Sequence, residues 1–232
     1  MMSPFCLLYD CDGTLVDSEP LLAAEMATSL GRLGLPFQVD DYVGEFRGSR
    51  FRTIVAELEG RYGNIDPLQL ATAETEMRSR LNQRLETELT AIAGAPEALA
   101  ALIDYPSGVV SNGPENKIRT SLKRIGFADF FGSHLYSGYT ANYWKPDPRL
   151  YLYAANAMGY DAEDCIAIDD ALVGVRAALD AGMIVVHLNR FPDAEETPEG
   201  AIMISSMYQL PTVIENLAHA RAQDQRQAVH GR

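Results

Sequence analysis

Short apolar runs alternate along most of the chain with longer stretches in which apolar residues recur at helical spacing. Five of these runs are too short for helices and are bounded by turn residues, which predicts buried strands. The predicted strands cover residues 5–9, 108–111, 135–137, 165–168 and 183–187. Predicted helices follow at residues 96–103, 117–125, 148–158 and 173–180. Strands that alternate with helices indicate a parallel sheet with helices on both of its faces.

The stretch from residue 18 to residue 89 breaks this alternation, because it shows helical patterns without a convincing strand. Helices are predicted over residues 20–33, 51–58 and 67–89, with Ser18 as the N-cap of the first and Gly60 ending the second. We therefore expect an α/β core made of residues 1–17 and 90–232, with residues 18–89 as a helical insert. The polar tail from Arg221 onward is expected to fray.

Composition narrows the function classes. The 232 residues carry a formal charge of −13, which argues against non-specific binding to nucleic acid or to an anionic membrane surface. The sequence shows neither a signal-peptide pattern nor an apolar run near the roughly 20 residues that span a bilayer. Its three widely spaced cysteines suit a reducing compartment. These features predict a cytoplasmic protein.

Polar side chains cluster where the predicted strands end. They are Asp10, Asp12, Ser111, Asn112, Lys145, Asp169 and Asp170. Because parallel strands share an edge at their carboxyl ends, we expect these side chains to converge. Four carboxylates at one edge require a cation, and oxygen ligands favour Mg²⁺.

Each cluster also has a simpler interpretation. Ser111 and Asn112 precede a predicted helix, so they suit either a phosphate or an ordinary N-cap. Asp169 and Asp170 by themselves are typical of a helix cap. Lys145 by itself is typical of a solvated surface, although the flanking prolines stiffen its segment. The residues alone leave these alternatives open.

The order of the clusters resembles the four motifs of the haloacid dehalogenase (HAD) superfamily, and more closely those of its phosphatase and phosphoglucomutase branch. The motifs are residues 10–19 (DCDGTLVDSE), 111–113 (SNG), 145–148 (KPDP) and 169–175 (DDALVGV). The resemblance implies a Rossmann-like parallel sheet core with a helical cap inserted after the first strand. The fourth motif departs from the frequent Glu-Asp pair, because Asp169 is one methylene shorter.

The resemblance also implies roles. Asp10 would be the nucleophile that forms an aspartyl phosphate, and Asp12 the general acid and base. Ser111 and Asn112 would hold phosphoryl oxygens, and Lys145 would neutralise charge on the nucleophile and the phosphate. The implied ligands of Mg²⁺ are Asp10, the backbone carbonyl of Asp12, Asp169 directly or through water, and Asp170.

Within the predicted cap, Arg47, Gly48 and Arg50 are candidates for contacts with the substrate, and surface arginines are the alternative interpretation. Leu22 stands where the mutase branch carries a histidine, which favours hydrolysis over isomerisation. The predicted function is therefore a Mg²⁺-dependent phosphatase of a small phosphorylated metabolite, such as a sugar or sugar-acid phosphate, with a monomer or weak dimer left open.

The sequence is also compatible with three rival functions. They are a β-phosphoglucomutase-like isomerase, a metal-free dehalogenase of the same fold and a non-enzymatic phospho-acceptor switch of the receiver type. Asp12 argues against the dehalogenase, because a halide leaving group needs no proton. The predicted cap and the second acid argue against the receiver.

Overall fold

The computed structural model describes residues 4–46, 49 and 51–230. Within these ranges the fold is built on a six-stranded sheet in the order β3-β2-β1-β4-β5-β6, with every neighbouring pair parallel. The strands are β1 (Cys6–Tyr9), β2 (Ser107–Ser111), β3 (Leu135–Ser137), β4 (Cys165–Asp169), β5 (Ile184–Leu188) and β6 (Ala201–Ile204). The predicted α/β class with a parallel core is confirmed.

Helices connect the strands and supply the insert. They are α1 (Glu19–Arg32), α2 (Val39–Asp41), α3 (Phe51–Tyr62), α4 (Pro67–Glu88), α5 (Ala95–Ala101), α6 (Glu115–Arg124), α7 (Ala128–Phe131), α8 (Gly138–Ala141), α9 (Arg149–Met158), α10 (Leu172–Asp180) and α11 (Leu210–His230). A π-helical turn at Tyr42–Phe46 continues α2. No helix of the described ranges is long and apolar enough to cross a bilayer.

Strands β1, β2 and β4 are buried at every position, because the sheet is covered on both faces. In β1, Leu7 and Tyr9 belong to one apolar cluster, whereas Cys6 and Leu8 belong to the cluster on the opposite face. This division follows from the alternation of side chains along a strand. Burying a side chain such as Leu7 contributes about 1.5–3 kcal/mol. The two clusters fix the register of β1 and therefore the position of the residues that follow it.

Strand order reverses beside β1, which has β2 on one side and β4 on the other. The chain leaves the carboxyl ends of these strands in opposite directions, which opens a crevice between them. The carboxyl ends of β1, β2 and β4 meet at this crevice. The fold therefore brings segments more than a hundred residues apart to one edge of the sheet.

Residues between β1 and α5 form a helical layer with its own apolar cluster, which contains Met26, Leu30 and Ile54. The chain enters and leaves this layer through adjacent backbone segments. Asp17 N donates to Thr90 O at 2.9 Å, and Ile92 N donates to Leu15 O at 3.0 Å. Both passages between the sheet and the helical layer are thus held side by side.

The structure corrects several predicted elements. Helix α3 runs through Gly60 to Tyr62, because packing of its buried residues outweighs the cost of about 1 kcal/mol for an internal glycine. Helix α11 continues to His230, beyond Arg221, where the sequence predicts that the tail begins to fray. Sequence patterns also missed β6 at Ala201–Ile204, a four-residue edge strand.

Candidate active site

The first element of the site is an acidic cluster at the carboxyl ends of β1 and β4. Asp10 follows β1 directly, and its backbone N–H donates to Ile168 O at 2.8 Å. Asp169 and Asp170 stand at the end of β4. One carboxylate oxygen from each of Asp10, Asp169 and Asp170 lies within 4.8 Å of the other two. Three carboxylates this close favour a bound cation.

Lys145 enters the cluster from the segment before α9. Its Nζ donates to Asp10 Oδ1 at 2.6 Å and to Asp169 Oδ2 at 2.7 Å, and its side chain is only 3% exposed. Burial removes water from the Lys145 ammonium, and its ion pairs with the two carboxylates offset the cost of this desolvation. The lysine therefore bridges the ends of β1 and β4.

Asn112 sets the position of Lys145. Asn112 Oδ1 accepts from Lys145 N at 2.7 Å, and Asn112 Nδ2 donates to Lys145 O at 3.1 Å. Both polar ends of this side chain are thus engaged with backbone. The expected contact of Asn112 with a phosphoryl group would therefore use its backbone N–H.

Asp169 is fixed from several directions. Tyr151 Oη donates to Asp169 Oδ2 at 2.8 Å, and Ala171 N donates to Asp169 Oδ1 at 3.0 Å. Residue 174 must be glycine for this arrangement, because a Cβ there would collide with the Asp169 carboxylate. Asp169 therefore belongs to the acidic cluster, and α10 has no side-chain cap, because the N–H that Asp169 accepts from belongs to the residue before the helix. Tyr151 was missed because it lies among the apolar positions of a predicted helix.

Asp170 is oriented by the turn that follows β1. Thr14 Oγ1 donates to Asp170 Oδ1 at 3.0 Å. Gly13 adopts a φ of 88° and approaches the same carboxylate so closely that a Cβ would overlap it. A residue with a side chain would be strained at this φ and would also displace Asp170. The turn therefore serves the acidic cluster as well as the chain reversal.

Asp12 stands apart from the acidic cluster. Its Oδ1 accepts from Ser18 Oγ at 2.5 Å, and Lys117 Nζ donates to Oδ1 at 2.9 Å and to Oδ2 at 2.8 Å. Ser18 was predicted to cap α1, but its hydroxyl makes no capping bond there and binds Asp12 instead. Lys117 was also missed, because a lone lysine near the start of a helix carries no recognisable motif.

Ser111 closes the site on the β2 side. It is the last residue of β2, is 2% exposed, and its Oγ accepts from Gly113 N at 3.1 Å. Ser137 Oγ donates to Gly113 O at 2.6 Å, so the turn is tied to the end of β3. Helix α6 begins at Glu115, two residues after Gly113, so the positive end of its dipole lies toward this region.

The environment shifts the acidities of the site. Burial raises the pKa of Asp10 to about 7, against the lowering effect of the Lys145 ammonium. Burial also acts to raise the pKa of Asp12, but Lys117 and Ser18 hold it below its usual value. Burial alone would lower the pKa of Lys145, yet Asp10 and Asp169 raise it well above the usual value. In the metal-free protein the two neighbouring aspartates thus differ in acidity, with a proton favoured on Asp10 rather than on Asp12.

The substrate contacts predicted within the cap are Arg47, Gly48 and Arg50, and all three fall outside the described residues. Leu22 lies on α1 and packs, partly buried, against the apolar cluster of the helical layer. Cys11 is buried among apolar residues, and burial raises the pKa of its thiol, so this cysteine packs as a small apolar residue.

Comparison with known proteins assigns this arrangement to a family. The model of the haloacid dehalogenase-like hydrolases matches residues 6–182. The chain belongs to this family. The match covers all the clusters described above, so the resemblance of the four motifs is confirmed.

Among curated HAD-like hydrolases, the chain is 36% identical over 183 residues to 6-phosphogluconate phosphatase of Escherichia coli (strain K12), which covers 78% of this chain and 80% of that protein. It is 30% identical over 193 residues to phosphoglycolate phosphatase of Nitrosococcus oceani, with 82% and 85% covered. Similarity to 6-phosphogluconate phosphatase, suggested by residues 110–117 and 137–148, is confirmed. These relatives support a phosphatase.

Two solved structures of HAD proteins have a similar fold. A haloacid dehalogenase-like protein of unknown function from Agrobacterium tumefaciens superposes with a TM-score of 0.79 at 28% identity, covering 94% of this chain and 100% of that chain. A HAD family hydrolase from Deinococcus radiodurans, crystallised with bound phosphate and sodium, gives 0.66 at 32% identity, with 80% and 81% covered. The first of these likenesses extends across both the sheet and the helical layer.

Proposed function

We propose that this chain is a Mg²⁺-dependent phosphatase that hydrolyses a small phosphorylated metabolite through an aspartyl phosphate on Asp10. The observation that carries the proposal is the buried Lys145 ammonium between Asp10 and Asp169. It leaves a carboxylate at the crevice beside a positive charge able to neutralise an incoming phosphoryl group. Phosphoryl transfer requires mainly such positioning and charge stabilisation.

The donor set fits Mg²⁺. Asp10, Asp169 and Asp170 offer carboxylate oxygens within 4.8 Å of one another, and hard oxygen ligands suit this ion. The Asp12 carboxylate is turned to Lys117, so the expected contribution of Asp12 to the metal would be its backbone carbonyl. When bound, Mg²⁺ would neutralise charge on the phosphoryl group and help to orient it.

The protein side chains would then divide the chemistry. Asp10 would attack phosphorus, while Lys145 and the Ser111 hydroxyl would hold phosphoryl oxygens. Asp12 would donate a proton to the leaving alcohol and later accept one from the attacking water. Asp12 suits this role because it lies two residues from the nucleophile and is more exposed, at 29% for its side chain against 12% for Asp10.

The helical layer would act as a cap. We propose that residues 18–89 form this cap over a core of residues 1–17 and 90–232, and that Arg47, Gly48 and Arg50 contact the substrate. A cap that closes over the crevice would exclude bulk water and select the leaving group. The proposed substrate is a sugar or sugar-acid phosphate, because the relatives include 6-phosphogluconate phosphatase and a fructose-1-phosphate phosphatase.

Phosphate release from p-nitrophenyl phosphate and from a panel of phosphorylated sugars and sugar acids tests the proposal. We expect the wild-type chain to release phosphate with Mg²⁺, to lose activity with a chelator, and to be inactive as Asp10→Asn. Full activity in Asp10→Asn, or no release from any substrate with Mg²⁺, would refute it.

A further inference from the structure

A second lysine, Lys117, lies at the proposed active site and forms an ion pair with Asp12. Lys117 Nζ donates to both oxygens of Asp12, at 2.9 Å and 2.8 Å. Its side chain is 28% exposed, whereas that of Lys145 is 3% exposed. The buried lysine thus serves the proposed nucleophile, and the more open lysine serves the proposed general acid.

Helix stability does not explain a lysine at this place. Lys117 is the third residue of α6, where the positive end of the helix dipole disfavours a cation by about 0.3–1 kcal/mol. The ion pair with Asp12 offsets this cost and joins residues 105 positions apart in the sequence. The interaction that places Lys117 is therefore with the site and not with its own helix.

Lys117 also borders the space where a phosphate ester would lie. A Cβ built on Gly113 would be 3.4 Å from Ser111 Oγ, 3.8 Å from Lys117 Cδ and 4.0 Å from Asp12 Oδ2. Gly113 therefore lies beside both the proposed phosphate contact at Ser111 and the Asp12–Lys117 pair.

We infer that Lys117 is a positioning residue for Asp12, and that together with Ser18 it holds the carboxyl group toward the leaving oxygen. The inference rests on the proposed function. As the Asp10 carboxylate bonds to phosphorus and the ester P–O bond breaks, the electron pair of the broken bond takes the Asp12 proton. The Lys117 ammonium stabilises the Asp12 carboxylate so formed. Water then bonds to phosphorus and gives its proton to Asp12 as the Asp10–phosphorus bond breaks.

The test compares two leaving groups in the variant Lys117→Met. Nitrophenolate leaves without a proton, whereas the alkoxide of a sugar or sugar-acid phosphate needs one. We expect the variant to lose about 100-fold in kcat on the sugar phosphate that the wild type hydrolyses fastest. With p-nitrophenyl phosphate we expect a burst of one nitrophenolate per site followed by slow turnover, because only dephosphorylation still depends on Asp12.

Further variants separate positioning from a structural role. Lys117→Arg should recover part of the lost turnover, because a guanidinium can also pair with Asp12. Ser18→Ala should show the same dependence on the leaving group with a smaller loss, and it provides the test if Lys117→Met does not fold. Lys123→Met changes an exposed lysine on the same helix and should keep the wild-type rates.

The outcomes decide between the inference and the proposed function. Equal losses on both substrates without a burst, or unchanged rates in Lys117→Met and Ser18→Ala, would overturn the role of Lys117 while leaving the phosphatase intact. A wild-type chain that releases phosphate from no substrate would overturn both.

Discussion

Thr14 Oγ1 donates a hydrogen bond of 3.0 Å to Oδ1 of Asp170, which lies 156 positions later in the chain. Both side chains are buried, with Thr14 at 0% and Asp170 at 1% exposure. The turn after β1 thus orients a carboxylate that follows β4. Hydrogen-bond partners that orient a metal ligand in this way affect the affinity of the site for the metal.

We expect Thr14→Val to weaken Mg²⁺ binding by about tenfold, because Asp170 loses the hydroxyl that orients it. The change keeps the volume of the side chain, and we expect it to cost about 1 kcal/mol in the free energy of unfolding. Calorimetric titration with Mg²⁺ measures the affinity. The matched control is Thr140→Val, an exposed threonine, and equal Mg²⁺ affinity in both variants would contradict the role of Thr14.

Tyr151→Phe tests the support of Asp169. The change removes the hydroxyl that donates to Asp169 Oδ2 at 2.8 Å and keeps the ring, whose centroid lies 5.0 Å from Lys145 Nζ. Since Lys145 and Ala171 still bind Asp169, we expect kcat to fall by a modest factor, about tenfold or less, with an unfolding cost of about 1 kcal/mol.

Steady-state kinetics and denaturant unfolding measure these two effects of Tyr151→Phe. The control is Tyr153→Phe, because Tyr153 lies on the same helix and is 41% exposed. A kcat and an unfolding free energy that match those of the control would show that the Tyr151 hydroxyl does not support the site.

Metal binding should depend on pH through Asp10. In the metal-free protein, burial raises the pKa of Asp10 to about 7, so this group opposes folding increasingly as pH rises from its usual pKa of 3.8 toward 7. A cation requires the ionised carboxylate, and protons compete with it below that pH. We expect Mg²⁺ affinity to fall by about tenfold per pH unit below 7.

Titration with Mg²⁺ on both sides of pH 7 measures this dependence, and Asp10→Asn serves as the control because it has no proton to lose at that position. An affinity that stays constant from acid to neutral pH in the wild-type chain would contradict the link between Asp10 and the cation.

Leu22 should exclude isomerisation. It packs against the apolar cluster of the helical layer and offers no polar group to manage a second hydroxyl. Incubation with β-glucose 1-phosphate should therefore yield free phosphate or no reaction. Formation of glucose 6-phosphate would instead indicate a mutase.

The parallel core was predictable because its strands are buried on both faces and read as continuous apolar runs. β6 was missed because a four-residue edge strand beside polar turns gives little pattern. The second half of α11 was expected to fray because it is polar, but the helix, anchored by Leu210 and Ile214 in the core, continues to His230.

The site was predictable where a residue type and a strand end coincide. Asp10, Ser111 and Asp169 all follow or end strands, so topology alone brings them to one edge. Lys117 and Tyr151 lie on helices, and their role depends on the rotation of each helix against the sheet. That rotation is set by packing across the whole core, which no local pattern encodes.

The proposed mechanism requires the Asp10 carboxylate to become phosphorylated. Asp12→Asn should still attack p-nitrophenyl phosphate but should dephosphorylate slowly, so the phosphoenzyme should accumulate. Mass spectrometry of this variant after rapid acid quenching should find one phosphoryl group per chain, on the peptide that contains Asp10, and none in the variant that also carries Asp10→Asn. A phosphoryl group on another residue, or active turnover with no phosphorylated peptide, would contradict the proposed mechanism.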